Sequence, residues 1–221
     1  MKRIFPLTFC LVLASSLLAG CSSGSGDPFT QQEYTADPAQ VEEIRVDVRD
    51  RQIEVSPSQD GQIHITYFEN SKETYDIAVS GEKVLSMTSA DSKEWTDYIG
   101  GKPSAEDRVI LLQVPGGLLE SLTLSTTNED ITLSPLAVSG SVTLSSNGGN
   151  IAFEGLEVGA ALSLTIKNGN ITGTVTGSYE DFAIQWDGKK GNSNLPEWKD
   201  GGEKTLSVSS NNGDVDVAFA P

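Results

Sequence analysis

The chain has 221 residues, with 31 Asp and Glu against 15 Lys and Arg, and a formal net charge of −16. That balance excludes a nucleic-acid binder, since no basic patch exists to neutralise phosphates, and it opposes lying flat on anionic lipid. A single histidine and two cysteines leave no ligand set for a zinc centre and no Cys–His or Ser–His–Asp unit.

Met1-Lys2-Arg3 forms a short positive start, Ile4 to Leu18 is mostly apolar, and Leu17-Leu18-Ala19-Gly20-Cys21 closes the segment. An apolar run this short reads as a signal peptide over residues 1–20 rather than a spanning helix. The Leu-x-Ala-Gly-Cys pattern resembles the lipobox of bacterial lipoproteins. The resemblance implies a diacylglyceryl group on the Cys21 thiol, cleavage before it and a further acyl chain on the new amino group. Two acyl chains give stable anchoring where one does not, so the membrane is an expected partner. Cleavage would remove Lys2 and Arg3 and no acid, taking the charge from −16 to −18. Cys10 lies inside the signal, so no cysteine is left for a disulfide. Residues 21–40, rich in Ser, Gly, Asp and Pro, read as a lipidated flexible tether.

From residue 41 to 221 the expectation is one domain. Alternation with period two begins at Ile44-Val46-Val48. It continues at Ile53-Val55, Ile63-Ile65-Tyr67, Tyr75-Ile77-Val79, Val84 to Met87 and Val109 to Val114, which Pro115-Gly116-Gly117 stops. Short alternating runs bounded by Gly, Pro, Asn and Asp are strands. No stretch holds a helical apolar period for three turns. Residues 88–108 are a polar excursion carrying Trp95 and Tyr98.

An internal repeat follows. Leu122 to Leu133, Val142 to Phe153 and Leu162 to Gly173 align at a register of 20, with columns Leu124/Leu144/Leu164, Asp130/Asn150/Asn170 and Ile131/Ile151/Ile171. Phe182, Ile184 and Trp186 continue the first strand at the same spacing. After an insertion from Asp187 to Lys204, Leu206 to Phe219 supplies a last copy. Twenty residues hold two or three short strands with their turns, one coil of a β-solenoid, so the expected fold is an all-β, β-helix-like repeat. Equivalent strands stack side by side and bury alternate residues in columns. Gly149, Gly169 and Gly213 stand where a tight corner calls for positive φ, and the Asn/Asp column can bond turn amides. Glu129 breaks the glycine pattern and predicts a strained or differently shaped corner.

The copies ending in Asn-Gly-Asn-Ile and Asn-Gly-Asp-Val, together with the Val-Pro-Gly-Gly turn at 114–117, resemble the Gly-Asp-Ile repeats of the DUF4097 adhesin family of bacterial surface proteins. The resemblance runs from about Ile44 to Phe219. It implies a β-helix-like fold and an envelope location, and it carries no catalytic residues or cofactors.

His64, between Ile63 and Ile65, points to the opposite strand face and reads as exposed. Asp214 with Asp216, and Glu129 with Asp130, read as solvated charge rather than a metal site; no cofactor is expected. The ligand-binding candidates are the loop aromatics Trp95, Tyr98 and Trp198, which can stack on a sugar ring or anchor a protein interface. Trp186 reads as an end cap over the apolar columns. The expected function is a non-enzymatic binding module on the extracytoplasmic face of the cell envelope, taking an envelope protein or glycan. An accessory factor in envelope integrity or stress sensing, acting on a membrane partner, is the second expectation. A polysaccharide-active enzyme is the third, and it needs converging carboxylates.

Overall fold

The computed structural model describes residues 27–92 and 102–221. The expected alternation becomes strands throughout: β1 (Thr30–Ala36), β2 (Glu43–Asp47), β3 (Gln52–Pro57), β4 (Ile63–Glu69), β5 (Tyr75–Val79), β6 (Val84–Ser89) and β7 (Val109–Val114). The repeat region holds β8 (Ser121–Thr126), β9 (Ile131–Leu133), β10 (Leu136–Val138), β11 (Ser141–Ser146), β12 (Ile151–Val158), β13 (Ala161–Asn168) and β14 (Ile171–Thr176). The chain closes with β15 (Phe182–Gly188), β16 (Trp198–Lys199), β17 (Lys204–Asn212) and β18 (Val215–Ala220). Among the described residues, helical structure is confined to 3-10 turns at Pro38–Gln40, Glu106–Arg108 and Tyr179–Asp181.

Two nine-stranded, mostly parallel sheets form. Sheet I has the order β1-β4-β7-β3-β9-β12-β14-β18, with β10 beside β12, and sheet II the order β16-β15-β17-β13-β11-β8-β2-β6-β5. The rungs β6/β7, β2/β3, β8/β9, β11/β12, β13/β14 and β17/β18 each contribute one strand to each sheet, as in a β-solenoid-like repeat. The columns are those of the 20-residue register: Leu124, Leu144 and Leu164 pair across β8, β11 and β13, and Ile131, Ile151 and Ile171 across β9, β12 and β14. All six are fully buried, and residues of both sheets form one apolar core.

Rung order departs from chain order at both ends. The β2/β3 rung lies between β6/β7 and β8/β9, so Ile44 pairs with both Leu85 and Leu122. At the other end Phe182, Ile184 and Trp186 do not stack directly on β13, and it is Ile184, not Phe182, that falls in the Leu162 column, one rung further out. Strand β17 slots between β13 and β15, placing Leu206 beside Leu162 and Ile184 beside Leu206. Every rung buries the same alternating apolar set, so the late strand is accepted in the earlier place.

Another correction concerns residues 30–40. They are not free tether: β1 pairs antiparallel with β4 over Thr30–Ala36, and the Asp37 carboxylate caps the following turn by accepting from the Ala39 N–H at 2.9 Å. As an edge strand with only Ala36 buried, β1 has the polar composition of a linker.

The corners form an Asx ladder. Asn150 N–H donates to Asp130 Oδ1 (2.7 Å), Asn170 N–H to Asn150 Oδ1 (2.9 Å), Asp214 N–H to Asn170 Oδ1 (2.9 Å) and Asn192 N–H to Asp214 Oδ1 (2.8 Å). Gly169 and Gly213 adopt φ of 142° and 136° as expected. Gly149 does not have positive φ; it is required by close approach instead, since a Cβ there would lie 2.0 Å from the Glu129 carbonyl oxygen. Glu129 itself is unstrained; Asp50 and Lys83 are the described non-glycine residues at positive φ. Inside two of the corners a buried hydroxyl satisfies a turn carbonyl: Thr126 Oγ1 donates to Arg51 O at 2.7 Å and Ser146 Oγ to Glu129 O at 3.1 Å.

Candidate functional site on the outer face of sheet II

Residues alternating with the buried columns point outward, and register partners share a face. Along sheet II this places Trp198 opposite Gln185, Gln185 opposite Ser207, and then Ser163, Thr143, Thr123 and Arg45 in one row across the strands. A second row runs Asp187, Ser209, Thr165, Ser145, Ser125 and Asp47, with Thr88 next on β6. The middle of the face is a lattice of Ser and Thr hydroxyls at the strand spacing. The path from Trp198 to Arg45 crosses six strand steps, about 29 Å.

Two shallow hollows flank it. One, of ≈ 220 Å³, is lined by Ser163, Thr165, Gln185, Asp187, Ser207 and Ser209, over Leu164 and Val208. The other, of ≈ 270 Å³, is lined by Asp47, Arg49, Thr88, Ser89 and Asp91. No lysine lies in either row, and Arg45 is tied to Glu43 through two hydrogen bonds of 2.6 and 3.1 Å. The strip offers hydroxyls, one amide and terminal carboxylates: a hydrogen-bonding surface rather than a field of positive charge.

Trp198 is 63% exposed, yet its backbone is held by the pairing of β15 with β16 and by Trp186 N–H donating to Glu197 O at 3.0 Å. The next residue, Lys199, donates to Phe182 O at 2.8 Å and sits 4.9 Å above the Tyr179 ring. A large aromatic ring is thus presented to solvent on fixed backbone, which limits the entropy lost when it is covered. Trp186 is half-buried against the core, its Nε1 buried without a partner. The rest of the insertion covers the free edge of β18: Asn194 Nδ2 donates to Val217 O at 3.0 Å, while Asn194 Oδ1 accepts from Val217 N–H at 3.0 Å.

Of the other sites expected from sequence, Cys21, Trp95 and Tyr98 lie outside the described residues. His64 points away from Ile63 and Ile65, but it is not the free surface residue expected, its side chain being only 17% exposed. Its Nδ1 lies 3.1 Å from Glu33 and its Nε2 2.9 Å from Asp60. Asp60 is held down to about 2 by the Gln62 backbone N–H, then by His64 and Ser58. Glu129 receives both Lys102 Nζ, at 2.8 Å, and Arg108, cations that sequence alone did not bring to it.

A buried cluster also went unread in the sequence. Arg51 and Glu73 are 3% and 6% exposed and pair at 2.5 Å, while Arg51 Nε donates to Tyr75 Oη at 2.6 Å. Burial, more than the opposing Arg51 charge, pushes the Tyr75 phenol up to about 12. This cluster ties the turn between β2 and β3 to the segment that leads into β5. Among the described residues no group of three or more His, Cys, Asp or Glu could hold a metal ion, and no helix is long and apolar enough to cross a membrane.

Gln185 and the Ser/Thr row were missed as site residues because alternation marks them only as the polar half of each strand. The signal was present in the shared register of Thr123, Thr143 and Ser163.

Several solved structures resemble this chain, and the first of them shares its fold. A "putative cell adhesion protein" from Clostridium sporogenes aligns over 87% of this chain and 100% of its own, at 11% identity and a TM-score of 0.63. A "putative adhesin" from Bacteroides fragilis aligns over 87% and 98% at 12% identity, with a TM-score of 0.40. Another from Parabacteroides distasonis aligns over 88% and 95% at 10% identity, with a TM-score of 0.33. No curated protein matches this chain. The family model Toastrack DUF4097 matches residues 41–179, from just before β2 to the turn after β14, and the chain belongs to that family.

Proposed function

We propose that this chain is a non-enzymatic adhesive module, lipid-anchored through Cys21 on the extracytoplasmic face of a bacterial membrane, that holds a glycan on the outer face of sheet II. The observation that carries this reading is the row running from exposed Trp198 through Gln185 into the Ser/Thr strip. An aromatic ring beside amide and hydroxyl groups suits a sugar, whose faces are apolar and whose rim is polar. The fold relative from Clostridium sporogenes, described as a cell adhesion protein, points the same way. The signal-like start and the Cys21 motif supply the anchor, and two acyl chains suffice for stable membrane residence.

The test uses the full chain, purified in detergent, against immobilised cell-wall and surface polysaccharides. Wild type should be retained by at least one glycan and Trp198→Ala should not. Equal retention of both proteins, or none by any glycan, would reject the site. Labelling with a radioactive fatty acid should mark wild type and not Cys21→Ser.

A further inference from the structure

We infer that the glycan taken by this face is a linear, uncharged polymer lying across the strands, contacted rung by rung from Trp198 toward Arg45. The inference rests on the glycan reading above and deepens it from a sugar contact to a polymer class and direction.

Three observations select this occupant. The strip is regular: Gln185, Ser207, Ser163, Thr143 and Thr123 project from consecutive strands, one polar group every ~4.8 Å, so any ligand satisfying them in sequence must itself repeat along that axis. It is also long and shallow. The hollow under Gln185 and Ser207 is only ≈ 220 Å³, and the row continues beyond it for several rungs, so affinity must accumulate over length instead of depth. And it is uncharged in the middle, with Asp187 and Asp47 toward its two ends, on a chain of net charge −16. A polyanion such as a polyuronate would be repelled, and the row offers no lysine to fix its carboxylates.

Trp198 closes one end by stacking on a terminal or near-terminal ring. Interior units exchange hydrogen bonds between their hydroxyl groups and the Ser/Thr hydroxyls, which donate and accept equally well. Each such bond is weak against water, so short oligomers should bind poorly and longer ones progressively better.

The test titrates the full chain in detergent with linear β-1,4-linked glucose and N-acetylglucosamine oligomers, from dimer to octamer, beside oligogalacturonates of matched length. For at least one neutral series the association constant should climb with each unit and level off at about six units, the number of strand steps in the strip. Thr143→Glu, an outward change at mid-strip, should abolish the gain beyond the trimer while leaving the trimer's affinity within twofold. Its thermal midpoint should match wild type. Neutral oligomers that bind through Trp198 with no length dependence, or with no effect of Thr143→Glu, would overturn the polymer inference and leave the sugar site standing. Tighter binding of oligogalacturonates than of neutral chains would overturn the charge assignment and the inference with it. If none of these oligomers binds but Trp198-dependent retention on another glycan persists, the linear neutral class is wrong while the site survives. If that retention fails too, both readings fall.

Discussion

Asn170 Oδ1 accepts the backbone N–H of Asp214 at 2.9 Å, although 44 positions separate the two residues. The 20-residue register that joins Asp130, Asn150 and Asn170 is carried across the insertion by this bond, which seats the β17/β18 rung on β13/β14. Asn170→Ala should lose about 0.5–1.5 kcal/mol in denaturant unfolding, the worth of one such bond, and Asn170→Asp, which keeps the acceptor, should lose less.

Close approach and not dihedral strain governs Gly149. A Cβ would meet the Glu129 carbonyl oxygen at 2.0 Å, and neither backbone can yield without opening the corner. Gly149→Ala should cost about 1–3 kcal/mol by overpacking. Gly116 has nothing within 4 Å of the same added atom, so Gly116→Ala should fall within ±0.5 kcal/mol. Paired urea titrations decide it.

The Arg51–Glu73 pair is buried on both sides. Removing one partner leaves a desolvated charge, so Arg51→Met should cost about 3–5 kcal/mol. The double variant Arg51→Met/Glu73→Leu should recover most of that loss, because two apolar groups of similar volume need no desolvation compensation. A double-mutant cycle measured by denaturation gives the coupling.

Acid stability follows from Asp60. Its carboxyl is depressed from the ordinary 3.8 to about 2 by the Gln62 N–H, His64 and Ser58. A depressed carboxyl stabilises the fold above its unfolded pKa and loses that contribution as pH falls through the folded value. Thermal midpoints should therefore drop between about pH 4 and pH 2, and Asp60→Asn should flatten that limb while leaving the rest of the profile in place.

The repeat was legible because the burial pattern and the corner chemistry coincide every twentieth residue: Leu144 and Asn150 each sit on their predecessor. Rung order was not, since Ile44, Leu85, Leu122 and Leu206 are interchangeable as inward residues. Periodicity names a strand without naming its neighbour. Thr30–Ala36 was hidden for a related reason: an outer strand that buries one alanine has the composition of a tether. Trp198 stood out as a loop aromatic, but its company did not. Gln185 and Ser207 meet on one row only because β17 inserts beside β15, a pairing set by tertiary packing.

The most direct measurement is a backbone amide and indole chemical-shift map of the full chain in micelles, with and without a neutral hexasaccharide that it binds. Shifts confined to Trp198, Gln185, Ser207, Ser163 and Thr143, with none at the sheet I residues Glu54, Thr132 and Thr172, are the predicted result. Shifts centred on sheet I or on β1, with the Trp198 indole unmoved, would contradict the account.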